Sequence, residues 1–346
     1  MSDPAAYPSH NSGDARPVSP RRPPPKPGFP AQVPEGTPFH LLARNSAHRW
    51  WRPVVALLVL LGLTLAASVL AAVLLVGMIV FAGPLGTLNI VLPPGHLVEV
   101  LSSPLPTLFL SFAVLIALIP PVALTARWVQ RRGFGSVVGV LGTPRVRWFG
   151  ETMLWALLVF GVLFAVIITL QLMSGAPMPA FPGWRRYLAV ALLAVLVVPA
   201  QSAAEELFFR GLLLQTLTAW FRTPWPGILL SSLVFLLGHG YTDPLVWVEL
   251  FLMATIMCWL SIRTGGLEAA VAMHTANNAL SLLIAGLSGV PSIEQSGDYP
   301  VIQVIPVIVA VLLFAWVVDR RAARRGVGTV VGGRARIDPV SLAPRH

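Results

Sequence analysis

Two acidic residues and an arginine lie inside an apolar segment that is otherwise suited to a lipid environment. Glu205, Glu206 and Arg210 follow a run, 187–198, made almost entirely of Leu, Val and Ala. Each charge at bilayer depth costs about 2.5–3.5 kcal/mol on an insertion scale. On a helix Glu206 and Arg210 are four residues apart and can pair, whereas Glu205 points about 100° away from Glu206. Glu205 therefore has no partner on its own helix, which indicates a functional role for this acid.

Polar residues interrupt two later apolar segments. His239 closes one of them, and His274 and Asn278 lie four residues apart on one face of another. If the three segments converge, the acid can act as general base on water. An imidazole can bind that water, hold a metal or protonate a leaving amine, and a carboxamide can donate to an oxyanion. This combination of groups suits hydrolysis.

Each of these features also has a structural interpretation. A single histidine on an apolar helix is more often a packing residue, and a Glu206–Arg210 pair is most often structural. Asn278 can bond a neighbouring helix for about 0.6 kcal/mol. The joint occurrence of all three features favours a site.

The composition identifies the class of protein. The 346 residues are 55% hydrophobic and only 11% charged, with a mean hydropathy of +0.76, whereas soluble domains carry about 25% charged residues. A polytopic membrane protein is predicted. The single cysteine, Cys258, excludes a disulfide within the chain and a thiolate metal cluster. The net charge of +10 comes from arginines that flank apolar segments, so it indicates membrane topology and not nucleic-acid binding.

Eight apolar segments, most of them close to the ~20 residues that a span needs, predict an all-α bundle with about eight transmembrane helices. They are Val54–Ala82, Leu105–Ala126, Trp148–Ser174, Tyr187–Trp220, Trp225–Gly240, Leu245–Ile262, Leu267–Ser288 and Val301–Val318. The fourth would be about 54 Å long against a hydrocarbon core of about 30 Å, and Pro199 is expected to kink it.

The arginines predict the orientation. One side of the predicted bundle receives nearly all of them, and the other receives Arg185 and Arg186 with a few acids. The arginine-rich side is expected to be cytoplasmic, which places both termini in the cytoplasm, as an even number of spans requires. Residues 1–45, rich in proline, charge and small polar residues, are predicted to be a disordered cytoplasmic tail that could include a PxxP ligand.

The three motifs Glu205-Glu206-x-x-x-Arg210, Phe235-x-x-x-His239 and His274-x-x-x-Asn278 resemble, in order, those of the CPBP family of intramembrane peptidases. This family includes the type II CAAX prenyl proteases and bacteriocin-processing proteins and is also called the Abi family. The resemblance covers roughly 185–290. It implies a catalytic core, which we place in 181–320. The apolar segments predict three transmembrane helices in 46–180, and the arginines predict a basic cytoplasmic tail in 321–346.

The resemblance also implies roles for the site residues. Glu205 would activate water, His239 would help to bind or orient it, and His274 and Asn278 would stabilise the oxyanion, with Glu206 and Arg210 in support. Glu206 would also be able to contact the water or a metal. Family members are described both as metalloproteases and as metal-independent glutamate peptidases. Glu205, His239 and His274 could together ligate Zn²⁺ or another divalent ion with one position open.

Other chemistries and functions are less well supported. The sequence has no His-Glu-x-x-His zinc motif and no Gly-x-Ser-x-Gly elbow. A rhomboid-like Gly286-Leu287-Ser288-Gly289 string falls where a segment runs into a loop. The leading hypothesis is an intramembrane endopeptidase that cleaves a membrane-associated protein or peptide and is embedded as a multi-pass protein in the cell membrane. The alternatives are a non-enzymatic scaffold, a bacteriocin-immunity protein of the same family, or a small carrier.

Overall fold

The computed structural model describes residues 30–86, 103–175, 180–221, 223–291 and 301–332. Within these ranges every secondary-structure element is a helix, apart from two isolated β-bridges. The predicted all-α class is confirmed. The first 29 residues, including the proline-rich run, and 333–346 lie outside the described residues, as does Arg222.

Nine helices of ten or more residues make up the described part of the chain. We label them α1 Arg52–Gly86, α2 Pro104–Ile116, α3 Ile119–Trp128, α4 Val146–Met173, α5 from 184 to 218, α6 Trp225–Gly238, α7 Pro244–Thr264, α8 Glu268–Ala285 and α9 Val301–Arg325. Single turns of helix occur at Phe39–Leu41, Gly135–Val138 and Gly286–Ser288.

Six stretches of the described residues are long and apolar enough to cross a bilayer. They are Arg52–Leu74, Pro104–Trp128, Val146–Met173, Trp184–Thr218, Pro244–Thr264 and Glu268–Ser288. Helix α6 is apolar but shorter, and α9 corresponds to the eighth predicted segment. The sequence therefore predicted a multi-pass bundle correctly, and its count of eight is approximate.

Helix α5 is 35 residues long and contains two stretches of wider winding. Wide π-helical turns occupy Leu193–Val197 and Leu207–Leu213, and ordinary α-helix from Val198 to Glu206 separates them. Pro199 lies two residues after the end of the first wide stretch. Because proline lacks a backbone N–H, the regular hydrogen-bond ladder cannot continue through it, and a wider turn adapts to this gap. The second wide stretch begins directly after Glu206.

The core surrounds α8, which packs against α4, α5 and α7. Small side chains on α8, including Ala269, Ala272 and Ala276, are fully buried and allow close helix contacts. Larger buried residues such as Phe160, Met257 and Phe314 fill the remaining space. The site described below lies at the side of this core that faces α5 and α6.

The predicted disorder is wrong over the last part of the N-terminal tail. Residues 30–51 form what we call the N-terminal cap. Its backbone donates from Ala31 to Arg131 O at 2.8 Å and from Gly36 to Val331 O at 2.8 Å. Phe39 is fully buried together with Leu42 in a cluster that includes side chains of α5, α6 and α7. The cap thus covers the arginine-rich end of the bundle, where the segment after α9 pairs with it.

Candidate functional site

Two of the three predicted motifs meet in a buried ionic cluster. Glu205 and Glu206 lie on α5 and His274 lies on α8, and these side chains are between 0% and 4% exposed. The His274 Nδ1 atom is 2.8 Å from Glu206 Oε1, and its Nε2 atom is 3.3 Å from Glu205 Oε2. One imidazole therefore lies against both carboxylates, which point in different directions from neighbouring positions of the same helix.

The pair predicted from the four-residue spacing is present. Arg210 Nη1 donates to Glu206 Oε1 at 2.8 Å, and both side chains are fully buried. Arg210 Nη2 also reaches the carbonyl oxygen of Ala254 on α7, at 3.4 Å. Glu206 Oε1 thus accepts from the guanidinium as well as from His274, so its charge is compensated within the protein.

Phe235 on α6 connects these groups, and sequence reasoning did not assign it a role. The Arg210 guanidinium lies 4.4 Å from its ring centroid, in a cation–π arrangement. Its ring meets that of His274 edge-on at 5.9 Å and that of His239 at 4.4 Å. The only sequence signal for this role was the position of Phe235 at the start of the second motif.

His239 lies at the edge of this cluster and does not touch the carboxylates. It is the first residue after α6, is partly exposed, and its Nδ1 atom is 2.8 Å from the carbonyl oxygen of Phe235. Because a carbonyl can only accept, the proton is on Nδ1, and Nε2 keeps its lone pair. The structure therefore brings His274 into direct contact with Glu205, and the role of His239 in binding or orienting the water stays a prediction.

Asn278 lies one turn beyond His274 on α8 and is partly buried. Its side-chain oxygen accepts from Asn277 Nδ2 at 3.1 Å. With this oxygen engaged by a neighbour, the amide N–H₂ group is the end that could donate to a substrate, and the oxyanion role that the resemblance implied stays a prediction. The Gly286–Ser288 string forms a single 3₁₀ turn that ends at Gly289, with φ 138°, so a turn explains its small residues.

The side chains around Glu205 provide fewer ligands than the predicted zinc ion requires. A catalytic zinc takes three protein ligands, and the described residues contain no group of three or more His, Cys, Asp or Glu side chains arranged to hold an ion. Glu205 and His274 supply two, and Glu206 is held by Arg210. As it stands, the donor set does not fit a three-ligand zinc site, and a zinc requirement stays a prediction.

Two buried carboxylate oxygens in the cluster, Glu205 Oε2 and Glu206 Oε2, are unsatisfied among the described residues. Glu205 Oε2 has no hydrogen-bond partner among the described residues, although it lies 3.3 Å from an imidazole nitrogen. Buried carboxylate oxygens are normally hydrogen-bonded, and exceptions call for an explanation such as a catalytic role or a bound water. Glu206 is already paired with Arg210, whereas Glu205 has no arginine or lysine partner among the described residues, so Glu205 Oε2 is the atom at which an external proton donor would bind.

Comparisons with known proteins address the same region. Residues 184–280 match the family model described as type II CAAX prenyl endopeptidase Rce1-like, and this range contains all three motifs. The uncharacterized protein YyaK of Bacillus subtilis (strain 168) is 31% identical over 193 residues, 52% of this chain and 61% of the relative. An uncharacterized 24.3 kDa protein of Escherichia coli is 39% identical over 83 residues, 23% of this chain and 37% of the relative.

The chain spans less than two thirds of the length of each of these relatives. No solved structure matches the chain.

Proposed function

We propose that this chain, which matches the family model of Rce1-like type II CAAX prenyl endopeptidases over residues 184–280, hydrolyses peptide bonds of a membrane-associated protein or peptide. Glu205 is the general base that activates water, and His274 is its immediate partner. The observation that carries this proposal is the buried, unsatisfied Glu205 Oε2 atom, 3.3 Å from His274 Nε2.

The charges of the cluster support a shared proton. Two carboxylates and one guanidinium give one net negative charge, which is costly in a buried site. His274 Nδ1 donates its proton to the carboxylate of Glu206. In the neutral ring Nε2 then carries a lone pair that faces the acceptor oxygen of Glu205, and in the protonated ring Nε2 carries a second N–H that can donate to it. One additional proton between Nε2 and Glu205 balances the cluster. The pair is therefore suited to giving and taking a proton.

The hydrolytic step follows from this arrangement. Glu205 takes a proton from a water bound at Oε2 while the water oxygen attacks the scissile carbonyl carbon. An N–H of His274, with the amide of Asn278, stabilises the oxyanion that forms. The proton then passes to the leaving nitrogen as the C–N bond breaks, which regenerates the carboxylate. His239, with its lone pair on Nε2, helps to orient the water or the substrate.

The orientation is part of the proposal. The arginine-rich end of the bundle, covered by the N-terminal cap and by the segment after α9, faces the cytoplasm. A reporter that is active only in the cytoplasm should be active when it is fused to either terminus. A C-terminal fusion that reports the opposite side would contradict it.

Glu205→Gln is the decisive variant, because it keeps the shape of the side chain and removes its basicity. We expect a loss of about 10²–10⁴-fold in cleavage rate, with unchanged detergent-purified yield and melting temperature. The matched control is Glu249→Gln, which removes a partly buried acid of α7 outside the cluster and should leave the rate unchanged.

Two probes cover the substrate class. One is a quenched fluorescent peptide with a C-terminal prenyl-cysteine motif, and the other is an unmodified peptide tethered to lipid. If the folded Glu205→Gln protein cleaves as fast as the original, the catalytic assignment fails. A protein that cleaves neither probe, and whose membranes yield the same protein termini with and without Glu205, is a scaffold or immunity protein.

A further inference from the structure

A buried serine of α6 bonds to the backbone of α5 in the wide turn that follows the two acids. Ser231 is fully buried, and its hydroxyl donates to the carbonyl oxygen of Phe209 at 2.9 Å. Phe209 lies in the π-helical stretch Leu207–Leu213, directly before Arg210. The hydrolytic step proposed above gives Ser231 no part, so this bond between two helices requires its own explanation.

The acceptor of this bond belongs to a shifted part of the hydrogen-bond ladder. In an ordinary α-helix the carbonyl oxygen of Phe209 would accept from the N–H of Leu213. Here it accepts from the N–H of Leu214, five residues further along the chain, as π-helical winding requires. A carbonyl oxygen has two lone pairs, and the Ser231 hydroxyl uses the second one. Two donors therefore fix one oxygen of the wide turn, one from its own helix and one from α6.

The wide turn determines where Arg210 lies relative to Glu206. Arg210 is inside the wide stretch and Glu206 directly precedes it. Their side chains meet at 2.8 Å and are fully buried. Since five-residue hydrogen bonds wind the chain differently from the four-residue bonds of an α-helix, this contact depends on the local winding. A bond that fixes the winding therefore also fixes the pair that holds His274.

The same serine sets the position of α6 along α5. Ser231 and Phe235 are four residues apart on one face of α6, and His239 follows after another four. The Phe235 ring meets the Phe209 ring at 5.0 Å and lies 4.4 Å from the Arg210 guanidinium. A hydrogen bond to a fixed backbone atom one turn away prevents α6 from sliding along α5. It therefore keeps these side chains in register with the ionic cluster.

Other buried hydroxyls of the bundle are satisfied within their own helix. Thr216, Ser261 and Thr264 each donate to the carbonyl oxygen four residues earlier, at 2.6, 2.9 and 2.8 Å. This local bond satisfies a hydroxyl without connecting two helices. The Ser231 hydroxyl instead crosses to α5. Its bond therefore contributes to the relative placement of the two helices that carry the first and second motifs.

We propose that Ser231 is a positioning residue of the active site, whose hydroxyl holds the wide turn of α5 and the register of α6. It touches neither the water nor the substrate. It acts through Arg210 and Phe235, which keep the cluster around His274 in one arrangement. This inference rests on the proposed function, because it assigns Ser231 a part in the peptidase reaction.

The test compares Ser231→Ala with the matched control Ser232→Ala. Both serines are fully buried, but the Ser232 hydroxyl faces side chains of α7, 4.0 Å from Cys258 Sγ and 3.3 Å from Thr255 Oγ1. The peptide assay, with rates expressed per folded protein, gives kcat and KM. We expect Ser231→Ala to lower kcat by about tenfold, as a small misplacement of reacting groups does, and to change KM by less than about twofold. Ser232→Ala should leave both unchanged.

A second measurement follows the wide turn without depending on cleavage. Hydrogen–deuterium exchange on the full-length protein in nanodiscs reports the amide of Leu214, which shares its acceptor oxygen with Ser231. Exchange over 207–214 should be faster in Ser231→Ala and unchanged in Ser232→Ala. Ser231→Thr keeps the hydroxyl and should return most of the lost rate. If Ser231→Ala does not fold, Ser231→Cys replaces it, because a thiol is a weaker donor of similar shape.

Four results would overturn the proposal. If Ser231→Ala and the unchanged protein have equal kcat values, the bond has no part in the reaction, and the peptidase assignment stands. Equal losses of rate in the two alanine variants would indicate a general effect of removing a buried hydroxyl. A lower kcat without faster exchange over 207–214 would place the effect outside the wide turn. An unchanged protein that cleaves neither probe would contradict the peptidase assignment and this inference together.

Discussion

Removal of Arg210 tests whether Glu206 is held as a buried ion. Both side chains are fully buried, and Glu206 Oε1 accepts from Arg210 and from His274 at 2.8 Å each. Arg210→Met keeps an unbranched apolar side chain and takes away the charge. It leaves a buried carboxylate with one partner, and breaking a buried pair in this way costs about 3–5 kcal/mol. We expect the free energy of unfolding to fall by that amount.

The double variant Glu206→Leu/Arg210→Met separates the loss of a pair from the burial of an unpaired charge. Since both charged groups are then replaced by apolar groups, at least about half of the lost stability should return. Activity should not return, because His274 Nδ1 loses the acceptor that orients the ring. Glu206→Gln/Arg210→Met retains an acceptor oxygen and should be the more active of the two double variants.

Reversible unfolding in mixed micelles measures these free energies, and the peptide assay measures the activity. If Arg210→Met alone lowers the stability by less than about 1 kcal/mol, the typical worth of an exposed pair, the pair is not buried as described. If Glu206→Leu/Arg210→Met is fully active, orientation of His274 by Glu206 has no part in the reaction.

Three further perturbations test the packing around the site. Glu268→Gln weakens the largely buried bidentate pair with Arg145 at the start of α8 and should lower the unfolding free energy by about 2 kcal/mol. The control is Glu151→Gln, which should lower it by only about 0.5 kcal/mol because the arginine partners of Glu151 are exposed. Gly211→Ala would place a Cβ atom 2.5 Å from a side-chain carbon and should cost about 1–3 kcal/mol in unfolding free energy, while Gly161→Ala, which meets no heavy atom within 4 Å, should be neutral or stabilising. Burial lowers the pKa of His40 from 6.5 to about 4, so its contribution is complete above pH 6.5 and is lost as the pH falls toward 4. Thermal melts across that range should show a loss on the order of 1–3 kcal/mol that is smaller in His40→Gln.

Local rules predicted the features that depend on one segment at a time. Apolar run length gave the multi-pass bundle, and the four-residue spacing gave the Glu206–Arg210 pair. The residue types on three separate apolar segments predicted convergence, since lipid rejects each of them singly. Two of these motifs meet directly, through His274.

Features that depend on distant contacts were not predictable in the same way. Glu268 begins α8, and its carboxylate accepts from the Arg145 side chain at 2.6 and 2.8 Å, across 123 positions of sequence. The N-terminal cap was predicted to be disordered because proline and polar residues dominate its composition. A few apolar side chains, among them Phe39 and Leu42, fix it to the bundle. The average composition of a segment does not show that a few of its apolar residues can be buried against the bundle.

The sequence alone did not predict which of the two histidines contacts the carboxylates. The predicted segment continued to Gly240, but α6 ends at Gly238, so His239 occupies the residue just after the helix and bonds back to Phe235. A helix end is uncertain by a few residues in sequence, and this shift decides which imidazole reaches the acids. His274 lies in the second turn of α8, away from either helix end, so a shift of the helix end does not change its position on the helix. Its two nitrogens address Glu206 and Glu205 separately, so the pair that stabilises the fold also orients the ring that the proposed chemistry uses. A substitution at Arg210 should therefore alter both stability and rate, whereas one at Glu205 should alter the rate alone.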